Sequence, residues 1–192
     1  FGTTERLLQR GEDDVAKGMH RVIALYLQRG FRVKECHSDG EFECIRAALA
    51  DDKAYLNVTS EDEHDPVIER YIRTVKERTR STYNSVPFKK IPTMMVIEMV
   101  HASNYWLNSF PANDGVSATQ SPRQIVTGQL CDFKMHCMLQ FGEYVQTHEE
   151  HDNTMATRTV GALALRPSGN AQGSYYFLSL DTGRVINRLH AT

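Results

Sequence analysis

Cysteine is scarce in this chain of 192 residues, with only Cys36, Cys44, Cys131 and Cys137. Four are too few for the disulfide scaffold of a small secreted domain, and they predict a reducing, intracellular compartment. Long apolar runs are missing as well. The most apolar stretch, Met94 to Val100, contains Glu98 and is followed by His101, Asn104 and Asn108, so no membrane span is expected. No basic-then-apolar leader is legible, and the first residue is Phe1 rather than Met, so the chain reads as a fragment of something longer. An excess of one charge sign is also lacking: 22 Lys and Arg face 24 Asp and Glu. Any nucleic-acid site must therefore be a local patch. No internal repeat, Gly-rich phosphate loop or Ser-His-Asp arrangement can be read. Cys131, His136 and Cys137 lack a second pair at zinc-site spacing, which argues against a zinc centre.

What is present is an ordinary globular composition, 41% hydrophobic and 24% charged, of a length that suits one or two small domains. Glu12 to Arg29 predicts a helix: Val15, Met19, Val22, Ile23 and Tyr26 recur at helical spacing, Asp13 and Asp14 suit its first turn, and Gly30 stops it. Phe31 to Cys36 predicts a strand ending before Ser38-Asp39-Gly40. A short helix over Glu41 to Ala50, with Phe42, Ile45 and Leu49 on one side, leads to a second strand over Ala54 to Val58. Helix, strand, helix, strand in that order predicts α/β structure with a parallel sheet. The Asn57-Val58-Thr59 sequon falls at the end of that strand.

The next helix starts at Asp65-Pro66, a cap followed by proline at the first helical position, and runs to Ser81. Ile68, Tyr71, Ile72 and Val75 form the stripe expected to be buried. Glu69, Arg73, Lys76 and Arg80 lie on a different face, about 120° away, so one carboxylate heads a ladder of three cations. Charge inverts at this helix. Between Glu35 and Glu69 eleven acids face Arg46 and Lys53, whereas from Arg70 to Lys90 seven cations face Glu77. Such a layout suits metal plus phosphate backbone, and equally a solvated surface of mixed charge.

Further on, Pro92 and Pro111 bracket a helix that is apolar nearly all round and so predicted to be buried, with Tyr105 and Trp106 as core aromatics. Asp132 to Asn153 reads as loop-rich, with a strand at Glu143 to Thr147. Ala162 to Leu165, Tyr175 to Leu180 and Arg184 to Asn187 read as strands separated by Gly-containing turns, which predicts a small C-terminal β unit.

Asp39 directly follows the first strand, and Glu69 opens the helix after the second. Carboxylates so placed point into the crevice where α/β sheets build their sites. Two sharing divalent cations are the apparatus of phosphoryl transfer, and hard oxygen ligands favour Mg²⁺ or Mn²⁺ over zinc. Taken alone, the pair reads as a turn Asp and a capping Glu. His37, two residues before Asp39, reads either as a DNA contact or as a strand-end residue.

The surrounding words carry more. Asp39-Gly40-Glu41-Phe42, then Glu69-Arg70 with Arg73-Thr74 on one helix, resemble the integrase core of copia-type retrotransposons, where the pattern is Asp-Asn-Gly-Gly-Glu-Phe followed by Asn-Gly-x-x-Glu-Arg. Trp106-Leu107-Asn108-Ser109-Phe110-Pro111 and Ser121-Pro122 with Thr127-Gly128 resemble that family's helical region after the core. Phe141-Gly142-Glu143-Tyr144 and the stretch from Gly161 to Arg188 resemble its terminal β-barrel module. The resemblance covers nearly the whole chain, in order. Here Asp65-Pro66 stands where the family has Asn-Gly, the interval from Asp39 to Glu69 is shorter, and the family's zinc-binding region has no counterpart.

The resemblance implies three segments: a partial ribonuclease-H-like core over 1–85, a helical connection over 86–142 and a small β-barrel-like module over 143–192. It implies metal-dependent DNA 3′-end processing and strand transfer, with Asp39 as the second Asp and Glu69 as the Glu of an Asp, Asp, Glu triad holding Mg²⁺ or Mn²⁺. The family's first Asp lies on a strand upstream of the helix at Glu12, so catalysis by this chain alone is not expected. DNA is the implied partner, with a homo-oligomer for the complete protein and a nuclear or virus-like-particle location. The ridge geometry, rather than a family motif, assigns phosphate contacts to Arg73, Lys76 and Arg80. The alternative is a non-catalytic DNA-binding or structural remnant of a mobile element.

Overall fold

A computed structural model describes residues 1–9, 11–59, 66–113, 115–149, 154–155, 157–189 and 191–192. The chain is a mixture of helix and sheet, as the order of its sequence patterns implies. Helix α1 (Glu12–Leu27) ends where Gly30 takes φ 79°, a left-handed conformation that a side chain would oppose. Strand β1 (Glu35–Ser38), a 3-10 turn over Gly40–Ile45, helix α2 (Arg46–Asp51) and strand β2 (Tyr55–Val58) follow. The strands pair in parallel, Glu35 opposite Tyr55 through Ser38 opposite Val58. A helical crossover is the connection that parallel pairing requires. Ile45, Leu49, Ala54 and Leu56 are buried between this pair and α1, whose Val15, Met19 and Ile23 pack on them.

The first strand begins later than its hydrophobic pattern suggests. Val33 packs on the core, but β2 offers only four residues to pair, and Phe31 stays 41% exposed. Pairing, not propensity, sets the strand.

Helix α3 (Pro66–Ser85) leads to α4 (Thr93–Ser109), which Pro92 caps and Phe110 ends. The capping role expected of Asp65 lies outside the described residues. As expected from its all-round apolarity, α4 is buried, packed between α3 and the C-terminal sheet. Two short helices, α5 (Pro122–Thr127) and α6 (Phe133–His136), precede the last unit. The first has a strong local signature: the Ser121 hydroxyl accepts from the Gln124 N–H, proline follows at the first position, and Gly128 at φ 73° closes it.

Strands β3 (Tyr144–His148), β4 (Thr159–Pro167), β5 (Tyr175–Ser179) and β6 (Val185–Arg188) form an antiparallel meander in that order. Both faces bury apolar side chains. Leu163, Leu165 and Leu178 meet Met95 and Met99 of α4 on one side, whereas Ala162, Ala164, Tyr175 and Phe177 meet Val145 on the other. The barrel-like module implied by the resemblance stops short of closure. Among the described residues only one bridge, Thr147 to Ala191, draws the chain end back to β3, with Gln146 and Thr192 exchanging backbone hydrogen bonds of 2.7 and 3.0 Å. The four-residue β6 does not itself reach β3 as a ladder.

Candidate nucleic-acid and metal site

Asp39 stands immediately after β1, in extended backbone (φ −70°, ψ 163°), and its carbonyl accepts from the Phe42 N–H at 3.0 Å to start the 3-10 turn. Its side chain makes no capping hydrogen bond and is exposed to solvent. Arg46 fixes this turn against the neighbouring strand. Its guanidinium donates to both carboxylate oxygens of Glu43 at 2.6 and 2.7 Å, and to the Leu56 carbonyl at 2.9 Å. The guanidinium's hydrogen bonds hold Glu43 below the usual carboxylate range. Asp39 is thus presented at the carboxyl end of β1 by a turn tied to β2.

Glu69 lies in the first turn of α3, the helix that follows β2, and is exposed. Asp39 therefore stands at the carboxyl end of β1, and Glu69 on the helix that comes next in the chain after β2. Oxygen donors of this kind suit Mg²⁺ or Mn²⁺ in type. Among the described residues no three His, Cys, Asp or Glu side chains are grouped to hold a metal ion.

Arg73, Lys76 and Arg80 are exposed along α3. They are not equivalent. Arg73 donates to Glu77 at 2.9 Å one turn on, so its charge is locally balanced. Neither Lys76 nor Arg80 has an ion-pair partner among the described residues.

The stripe expected to bury α3 is only half covered. Ile68 is 55% and Ile72 45% exposed, and no residue of the helix is fully buried. The reason is the polarity of the partner helix: where α3 meets α4, the Tyr71 hydroxyl donates to Asn104 Oδ1 at 2.7 Å and Thr79 shares a 3.2 Å hydrogen bond with Ser103. Polar pairs hold the helices together at points and leave a cleft between them. Its volume is about 430 Å³, with Ile72, Val75 and Val100 on the walls and Lys76 and Arg80 at the rim.

An extended N-terminal segment closes the cleft's far side. Asn108 clasps the backbone of Gly2, accepting from its N–H at 3.0 Å and donating to its carbonyl at 2.6 Å. Asn104 donates to the Thr4 hydroxyl, and Glu5 pairs with Arg21 at 2.8 Å. A Cβ at Gly2 would overlap the Tyr71 hydroxyl, so glycine alone fits without displacing that ring. Sequence reasoning missed this cleft. Its trace is Asn104 and Asn108 at i, i+4 in an otherwise apolar helix, polar residues that a buried face must satisfy.

His37 points to Glu35, 3.5 Å away. His136 is a structural residue: 2% exposed, it engages Asp132 backbone atoms through Nδ1 and the Asn170 carbonyl through Nε2 at 3.0 Å. Burial pushes the nearby Cys137 thiol up, with Cys131 adding to the effect. These groups form no ligand cluster among the described residues. Tyr105 is buried as expected, its ring edge-on to Trp106 and beneath Arg123.

Comparison with known proteins adds no family: no protein-family model and no curated protein matches this chain.

Proposed function

We propose that this chain is a nucleic-acid-binding fragment of a copia-type retrotransposon integrase. The observation that supports the reading is the order of segments: Asp39 stands directly after β1, and Glu69 in the first turn of α3, the helix next in the chain after β2. Motif order along the chain supports the same assignment. The ribonuclease-H-like character of the core, the DNA partner and the Mg²⁺ or Mn²⁺ cofactor belong to this proposal.

Asp39 and Glu69 would supply two carboxylates to the metal shell. When bound, such metals activate an attacking oxygen and neutralise a leaving one at a phosphodiester. This chain's own residues do the holding. Arg46 orients the turn that presents Asp39, while Lys76 and Arg80 draw the phosphate backbone along α3.

Duplex binding followed across a salt series tests the reading. Weak, sequence-tolerant affinity that falls steeply with salt is expected. Absence of binding at low salt would remove the nucleic-acid assignment.

A further inference from the structure

The two ridge cations without an ion-pair partner among the described residues are also the two that border the cleft between α3 and α4. On α3, Val75, Thr79 and Ile72 follow one another at helical spacing, and Lys76 and Arg80 flank them on one side only. The lining joins apolar Ile72, Val75 and Val100 to the exposed cations Lys76 and Arg80. The opposite wall, Thr3 and Thr4, is pinned by Asn104 and by the clasp of Asn108 on Gly2. A volume of about 430 Å³ exceeds what a single flat ring system fills, and lies within the range of small-ligand sites. The complementary ligand carries an anion at one end and a flat, weakly polar body at the other.

We propose that this cleft receives one unpaired nucleotide of a single strand, with its phosphate at Lys76 and Arg80 and its base against Ile72, Val75 and Val100. The proposal rests on the nucleic-acid reading of α3 and goes beyond it: the ridge would grip backbone of any sequence, whereas the cleft distinguishes a strand whose base can leave the stack from one that has no base. Base burial against a protein surface is tolerant of sequence, because every base has the same flat faces. Charge complementarity favours this occupant over a neutral apolar one, for an anionic end gains attraction from two exposed cations that no described side chain neutralises.

The test uses the 192-residue chain and two short single strands of equal length and charge, one with 2-aminopurine and ordinary bases, one abasic throughout. Equal charge cancels the phosphate contribution. The strand with bases should bind about fivefold tighter or more, and the 2-aminopurine signal should change on binding. Val75→Trp and Val100→Phe fill the cleft from opposite helices, and each should bring the affinity down to that of the abasic strand. Circular dichroism identifies a variant that has not folded, and the other then decides. Equal affinity of the wild-type chain for the two strands overturns the proposal, as does a preference that survives in a folded variant. A dimer seen in sedimentation and lost in V75W, without any base preference, would assign the cleft to a second copy and also overturn it. The parent reading is judged separately, on duplex DNA. If the preference for bases is present but Lys76→Ala with Arg80→Ala leaves the duplex salt dependence unchanged, the cleft stands and the duplex ridge falls.

Discussion

Glu98 and Arg166 meet at 2.7 Å between α4 and β4, with side-chain exposures of 9% and 19%. Arg166 also lies over the ring of Tyr176, 4.3 Å from its centroid. Two charges taken so far out of water depend on each other, since removing one leaves the other buried without a counter-charge. Glu98→Ala should therefore destabilise the chain by about 3 to 5 kcal/mol in urea denaturation. Replacing both residues by methionine should cost clearly less than the two single changes added. His101, on the same helix, titrates in this environment. Burial first, then the Arg166 charge, lower its pKa from the ordinary 6.5, while Glu98 and Glu5 act the other way. The unfolded chain takes up a proton that the folded chain resists, so stability falls as pH drops below about 6.5. His101→Gln should flatten this part of the stability–pH curve, and an unchanged curve would assign the acid sensitivity to other groups.

At the scale of elements, α3 carries the DNA contact proposed above. Each phosphate neutralised contributes about 0.9 to the slope of log affinity against log salt. The double variant Lys76→Ala, Arg80→Ala should flatten that slope by about two, and adding Arg73→Ala should change it by at most about one more, because Glu77 already balances Arg73. An unchanged slope in a titration of duplex DNA would leave the ridge an ordinary solvated face. Much of this level was legible from the residues. Helix α1 announced itself through apolar periodicity and Gly30 as its stop, and α4 through all-round apolarity between Pro92 and Pro111. The strand before Asp39 was legible in kind but not in extent, because its length is set by β2, a partner twenty residues away. The cover of α3 was not legible. Its stripe of Ile68, Tyr71, Ile72 and Val75 has the period of a buried face, yet what it meets is the polar side of α4 and an N-terminal segment held by two asparagines. Periodicity states which residues share a face; it does not state what that face will find.

For the whole molecule, two parallel strands with their crossover and an antiparallel meander are joined by α3 and α4; Asp39 sits at the first, whereas Glu69 and the cations lie on α3. Positioning paired metals for strand transfer needs more ligands than two carboxylates, and loss of one ligand costs orders of magnitude in rate. The 192-residue chain should therefore show no strand joining with Mg²⁺ or Mn²⁺ in a gel assay on short duplexes, while still binding them. Joining that disappears in Glu69→Gln would overturn this. The placement of Asp39 and Glu69 was legible at the level of segments, because a strand end and a helix start are local properties. Whether their carboxylates serve one ion is a property of the whole fold, which local sequence does not encode. Paramagnetic broadening by Mn²⁺ in amide NMR spectra tests it most directly, since it registers weak binding without requiring turnover. The account predicts that the signals of Asp39, Gly40 and Glu69 broaden together at low Mn²⁺, and that Asp39→Asn and Glu69→Gln each abolish the broadening at both places. Broadening at one acid that persists when the other is replaced, or broadening centred elsewhere, would contradict it.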